Sequence, residues 1–252
     1  MNRFLKIIPL MLLQACAYMY IPSAKNTPLF EKKGEVQIEA GASANSVYGT
    51  GSYAFSEKFA LIANGSLSFR NFSNRYDIVT TTSTTSGSQY FTVTNKFSHR
   101  YAEGGLGRYN LLSSKWKLEI FGGGGYGEAF VDFAAYKNYY WLGFFQGNFG
   151  RKWKFIEYGG SLRTAYSGFH FIYPSDSYPH HPLHLNFNNV HIEPLAFFRI
   201  GKDSLRGFVR VGFSITAPFY SFSGIKSTYG IYQEYLEYNI LHLSVGLSYR
   251  FK

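Results

Sequence analysis

This chain has no second cysteine; Cys16 stands alone. That excludes an intramolecular disulfide and a thiolate metal cluster. Long apolar runs are missing too: no stretch approaches the ~18 uninterrupted apolar residues of a membrane-spanning helix. Charge is scarce, at 16% of residues, and uneven in sign, with 25 Lys and Arg against 15 Asp and Glu. The basic side chains are scattered, with no basic helix and no recognised binding motif, which argues against nucleic acid as a partner. Aromatic residues are in excess, at 20%, led by 25 Phe and 22 Tyr, with 26 Gly spread among them. Disordered segments are poor in aromatics, so the bulk of the chain is expected to fold.

The first residues read as an export signal. Arg3 and Lys6 precede a short apolar stretch, Ile7 to Leu13, the layout of a secretory signal peptide. Its last four residues, Leu13-Gln14-Ala15-Cys16, resemble the lipobox of bacterial lipoproteins. The resemblance implies cleavage before Cys16 and acylation of that cysteine; an ordinary signal peptide with an incidental cysteine is the alternative. Three parts follow: a signal peptide at 1–15, a periplasmic, lipid-anchored leader at 16–33 and the folded unit at 34–252. Cleavage removes Arg3 and Lys6 and no acid, which takes the net charge from +10 to +8. The remaining ~237 residues suit a single barrel domain. Some Gram-negative lipoproteins carry an acidic surface-export tag after the cysteine. None follows Cys16 here, which implies a lipid held in the inner leaflet of the outer membrane.

Period-two alternation dominates the rest. In the last strand Leu241, Leu243, Val245, Leu247, Tyr249 and Phe251 share one face, opposite His242, Ser244, Gly246, Ser248 and Arg250. Val209, Val211, Phe213 and Ile215 oppose Arg210, Gly212, Ser214 and Thr216 in the strand before it. Phe59, Leu61, Ala63, Gly65, Leu67 and Phe69 oppose Asn64, Ser66, Ser68 and Arg70, with Ile62 an exception on the polar side. Val36, Ile38, Ala40 and Ala42 oppose Glu35, Gln37 and Glu39. Further strands are expected near 46–55, 97–109, 116–132, 139–150, 154–171 and 189–200, ten in all. Gly122-Gly123-Gly124-Gly125 falls inside one of them and marks a bend or a close backbone approach; Pro194 marks a bulge in another.

Short links at 56–58, 111–115, 150–153 and 201–204 alternate with longer ones at 71–96, 172–188 and 218–238, plus shorter members at 43–46 and 133–138. Short turns at one end and long loops at the other are the asymmetry of an outer-membrane barrel. An even strand number places both termini on the short-turn, periplasmic side. The final strand, ending Tyr249-Arg250-Phe251-Lys252, resembles the insertion signal of bacterial outer-membrane proteins, although Lys252 follows the terminal aromatic. The expected fold is all-β: a closed antiparallel transmembrane barrel of about ten strands (8–12), which leaves no backbone group unpaired in lipid. Alternation alone does not say which face is outside. A soluble, lipid-anchored sandwich or lipocalin-like barrel would carry the same two rows reversed.

If the aliphatic row faces lipid, the lumen holds Glu35, Glu39, Glu103, Glu157, Arg163, Glu193, Arg199, Arg210 and Arg250. About eight strands leave a lumen that side chains fill, whereas open channels need about sixteen. Ten strands should therefore be largely plugged by this charge network, with a narrow pore or a catalytic carboxylate as the alternatives. His180, His181 and His184 read as a solvated loop tip rather than a metal site. His242 and Ser244 with Glu193 are the best hydrolytic set, although residues at i and i+2 on a strand stand roughly 7 Å apart. Lipid A deacylases and palmitoyl transferases use a Ser–His pair near the outer rim, and ten-stranded omptin proteases use acidic pairs with an Asp–His pair. Asp77, Asp132 and Asp176 lie beside no histidine, so no such motif carries over. The tract from Thr80 to Ser88 reads as an outward-facing polar loop. The last loop, with Phe219, Tyr220, Phe222, Tyr229 and Tyr232, reads as a lid.

The sequence thus points to an outer-membrane barrel lipoprotein with a structural or interaction role. Its expected partners are outer-membrane lipid, lipopolysaccharide and another envelope complex. No cofactor is implied. An enzyme acting on lipid A, phospholipid or peptides, or a narrow channel, is the alternative.

Overall fold

A computed structural model of the chain describes residues 18–20, 25–43, 46–82, 85–112, 115–131, 136–175, 178–202, 204–218, 237–238 and 241–251. Among these residues there is no helix, and ten strands form a ring. They are β1 (Val36–Ser43), β2 (Ser46–Tyr53), β3 (Phe59–Thr82), β4 (Thr85–Arg108), β5 (Trp116–Val131), β6 (Tyr136–Trp153), β7 (Ile156–Ser175), β8 (Tyr178–Lys202), β9 (Leu205–Phe213) and β10 (Leu241–Phe251). Each pairs antiparallel with the next, and β10 closes on β1 from Ser244↔Ser43 to Phe251↔Val36. Within the ring itself no strand is an edge, which removes the usual template for strand-to-strand association at that level.

The two faces follow the alternation. Leu247 is 59% exposed, Ile200 56% and Trp153 58%, while Arg163, Arg199 and Arg210 are each 0% exposed. Ile62, the exception in the β3 pattern, stays with the polar row and is buried inside. Exposed aromatics gather near the short turns, at Tyr53, Phe55, Phe59, Trp153, Phe155, Tyr249 and Phe251, and again above, at Tyr126, Trp141 and Tyr166, with Phe145, Phe149, Phe198 and Phe213 elsewhere on the outer wall. The twelve residue-to-residue steps from Trp153 to Trp141 on β6 span about 40 Å along the strand. A tilt of ~35–45° reduces this to a band about 30 Å tall.

Connections of 54–58, 109–115, 154–155 and 203–204 lie at one end of the barrel. At the other end the expected long loops are largely continuations of strands. β3 and β4 stay paired out to Thr82↔Thr85, and β7 and β8 to Ser175↔Tyr178. Residues 71–96 and 172–188 are therefore projecting hairpins. Thr80–Ser88 belongs to one of them apart from residues 83–84, and Asp77 and the backbone of His180, His181 and His184 are also in strands. The backbone ladder wins here because consecutive hairpin strands keep pairing where side-chain polarity alone suggested a loop. Residues 150–153, expected as a turn, end β6 and pair with β7; the reversal is at 154–155. Asp132, Asp176 and the aromatics of 219–236 lie outside the described residues.

Pro194 makes no bulge. The β8–β9 register is unchanged across it, from Gly212↔Leu195 to Ile215↔Ile192. The ladder is interrupted at Ser214 and resumes as Ile215–Pro218, because proline has no N–H to offer the facing strand. The tetraglycine tract runs straight through β5 in register with β4 and β6. It permits close approach: a Cβ on Gly125 would lie 2.5 Å from the Tyr101 hydroxyl and 2.7 Å from the Glu103 side chain.

The leader was expected to join anchor and fold as a linker. Instead, Lys25 to Phe30 lie fully buried inside the ring. Gly34, at φ +87°, reverses the chain below the lumen, a conformation L side chains rarely adopt. There Gly34 N–H donates to Ala54 O at 2.7 Å and Ala54 N–H to Glu35 O at 2.9 Å, which starts β1.

Candidate functional site: the charged lumen and its internal strap

All nine charged residues assigned to the lumen from the sequence are buried there. Nearest the short turns, Arg250 Nη1 donates to Glu157 at 2.7 Å, and its Nη2 and Nε reach Gln37. Arg206 pairs with the same Glu157 carboxylate. Glu35 accepts from the Glu31 N–H at 3.1 Å. One level up, Arg199 Nε donates to Glu39 at 3.0 Å and Nη1 to Glu157 at 3.3 Å, and Arg210 pairs with Glu39. Higher still, Arg163 grips both oxygens of Glu103, at 2.8 and 2.6 Å, with Nε 3.5 Å from Glu193. A bidentate fork of this kind fixes geometry as well as charge. Three of these guanidiniums also lie over a ring: Arg163 over Phe144, Arg199 over Phe197 and Arg210 over Phe208, at 4.3, 4.6 and 4.5 Å.

The strap completes the network. Arg250 Nη2 donates to Pro28 O at 2.7 Å. Arg199 Nη2 donates to Thr27 O at 2.8 Å and to Thr27 Oγ1 at 2.7 Å. Gln146 and Asn148 donate to Asn26 O at 2.7 and 3.1 Å, and Asn26 Nδ2 donates to Gly51 O at 2.8 Å. Phe30 N–H donates to Glu119 at 2.6 Å. Lys25 Nζ lies 3.4 Å from Glu193. Backbone groups that would be costly to bury unpaired are thus met by wall side chains. Among the described residues, Glu35, Glu39, Glu103, Glu119, Glu157 and Glu193 face Lys25, Arg163, Arg199, Arg206, Arg210 and Arg250, and Lys152, as buried as Arg206, pairs with Glu31.

Above the ion pairs lies an aromatic layer. Tyr20 donates to Glu193 Oε1 at 2.8 Å and stacks on His191 at 4.1 Å, with Tyr140 and Phe169 edge-on to it. His99 bonds the Tyr140 hydroxyl at 2.6 Å. Ser167 Oγ and His191 Nε2 are 2.7 Å apart, and His191 Nδ1 is 2.9 Å from Thr216 Oγ1. This is a Ser–His pair whose second nitrogen faces a threonine hydroxyl, and both residues are fully buried, with Tyr20 stacked on the imidazole. Two recesses, of about 610 and 550 Å³, share Tyr126; the first is lined by Val47, Leu67, Arg100 and the buried Tyr101, and the second by Trp141, His170 and the buried Tyr140 and Phe169.

The hydrolytic set considered at His242, Ser244 and Glu193 is not assembled. Ser244 accepts from Tyr48 at 2.9 Å, Glu193 is held by Lys25, Arg163 and Tyr20, and His242 Nε2 has no hydrogen-bond partner among the described residues. No cluster of metal-ligating side chains is present among the described residues. Cys16, the expected acylation site, lies outside them.

Sequence reasoning missed Glu119, Arg206 and the whole strap. Glu119 was legible, since Leu118 and Ile120 flank it on the outer row, but Phe121 on the inner row blurs that pattern. Lys25, Asn26 and Thr27 belong to no periodic segment, so nothing in the sequence separated a plug from a linker.

No protein-family model and no curated protein matches the sequence.

Proposed function

We propose that this chain is an outer-membrane β-barrel lipoprotein whose sealed barrel is a rigid mount for the hairpins at its far end. The observation that carries this reading is the inverted burial: leucine, isoleucine and tryptophan outside, arginine and glutamate inside. In water such a surface would be a very large apolar patch; in a bilayer it is a lipid-facing band between two aromatic girdles. The short-turn end would face the periplasm, and Cys16 would carry the lipid. An ion-paired network with a peptide strap through it favours rigidity over conduction, and the role is one of scaffold or accessory subunit. Its partners would be outer-membrane lipid, lipopolysaccharide and another envelope complex that binds the hairpins.

The test is mild detergent extraction of the tagged protein from outer membranes, followed by identification of co-purifying envelope proteins. A partner lost when the β3–β4 hairpin is cut back to residue 68 and resumed at residue 99 supports the reading. A lone monomer under the same conditions counts against it. Enzymatic activity has one observation in its favour, the Ser167–His191 pair. Tyr20 covers that pair, so access of a substrate would require the strap to leave.

A further inference from the structure

The direction of the strap is fixed at both ends. Phe30 sits at the short-turn end, against Glu119 and with its ring 5.4 Å from that of Tyr109. Lys25 has risen to the level of Glu193, and the Tyr20 ring to that of His191 and Phe169. Tyr18–Tyr20 then pairs, parallel, with Glu237–Tyr238. That segment ends three residues before Leu241, the first residue of β10, at the long-hairpin end. With Tyr18–Tyr20 at the upper end and Lys25–Phe30 leading to the lower one, the chain enters from above, turns at Gly34 and starts up the wall as β1.

We propose that the leader carries the mature amino end through its own barrel, so that the Cys16 lipid enters the outer leaflet, opposite the end where Phe251 stops. The lipid itself rests on the lipoprotein reading above; the direction rests on the strap alone. Tyr20 lies level with Tyr140, the neighbour of the upper-girdle Trp141, and four extended residues reach at most ~14 Å. Cys16 is thus tethered to the upper rim and is too short of chain to return to the lower one. The wall is low beside β1 and β2, whose strands end at Ser43 and Ser46, opposite Ser244 and Ser68. An acyl chain passing over that rim meets the outer-leaflet hydrocarbon. The placement reverses the one implied by the missing acidic export tag: threading would display the anchor without a tag.

A short epitope inserted between Ala17 and Tyr18, compared with one appended after Lys252, tests the direction in whole cells. The expected result is equal antibody binding at the amino-end epitope in intact and permeabilised cells, with the carboxy-end epitope reached only after permeabilisation. An amino-end epitope reached only after permeabilisation overturns the proposal. Because an insertion can block folding, Tyr18→Cys with a membrane-impermeant maleimide is the second measurement. Labelling in intact cells supports the threading, and labelling only after permeabilisation overturns it. Wild-type protein serves as the control for the lipid, since an acylated Cys16 has no thiol. Labelling of wild-type Cys16 in intact cells would remove the lipid while upholding the direction.

Discussion

Arg199 reaches Thr27 O at 2.8 Å with the same guanidinium that holds Glu39 at 3.0 Å. One side chain on β8 thus ties the strap to β1, and through Glu157 to β7. Replacing it with Met leaves two buried carboxylates and a backbone carbonyl short of a donor. Breaking a buried pair in this way costs about 3–5 kcal/mol. Arg199→Met should lower the urea midpoint of the barrel in lipid vesicles, with the slope of the transition unchanged.

Gly150 is glycine because of the strap. A Cβ there would lie 2.7 Å from Leu29 Cδ1 and 2.9 Å from Tyr158 O. Gly150→Ala should destabilise by about 1–3 kcal/mol, the usual range for overpacking. Adding Leu29→Ala should recover part of the loss. A plain surface glycine would show neither the loss nor the rescue.

Val245 faces outward near the middle of β10. Val245→Arg should cost about 2–4 kcal/mol in vesicles, as expected for a guanidinium at the bilayer midplane. The same change on a water-facing wall would be nearly neutral, so an unchanged midpoint would count against the lipid-facing assignment.

The intact chain should give no conductance in planar bilayers, since Lys25 to Phe30 fill the lumen. Deleting residues 18–30 should produce small, reproducible steps. Equal conductance in both proteins would mean that the strap is not the seal.

Ser167→Ala removes the 2.7 Å contact to His191. The expected effect is structural, a loss of about 1 kcal/mol as for an ordinary hydrogen bond. Mass spectra of lipid A and phospholipid from cells expressing wild type or Ser167→Ala should be superimposable. A missing acyl modification in the variant would instead give the pair a chemical role.

The wall was legible in the sequence and its contents were only half so. Two-residue periodicity assigned Arg210, Arg250, Glu39 and their neighbours to one face, because a strand with unlike environments on its two sides must alternate. Closure followed from the same pattern, since β1 and β10 are both two-faced and need partners. Hairpin height did not follow. Around His184 the alternation of Leu183, Leu185 and Phe187 with His184 and Asn186 was legible as a strand but was hidden by the histidine–proline run before it, and around Asp77 the adjacent Ile78 and Val79 break the two-residue period. Lys25 was invisible for a different reason. A six-residue segment outside any strand, held by groups from β2, β5, β6, β8 and β10, has no periodicity of its own, and its hydrogen-bond partners lie between 25 and 222 positions away in the chain.

Closure around a peptide that precedes every wall strand has a consequence for assembly. The occupant is synthesised before its container is complete, and Arg250, which clasps Pro28, arrives on the strand that joins the two ends of the sheet. A thread made first and a lock made last suit a wall that closes around a strap already in place.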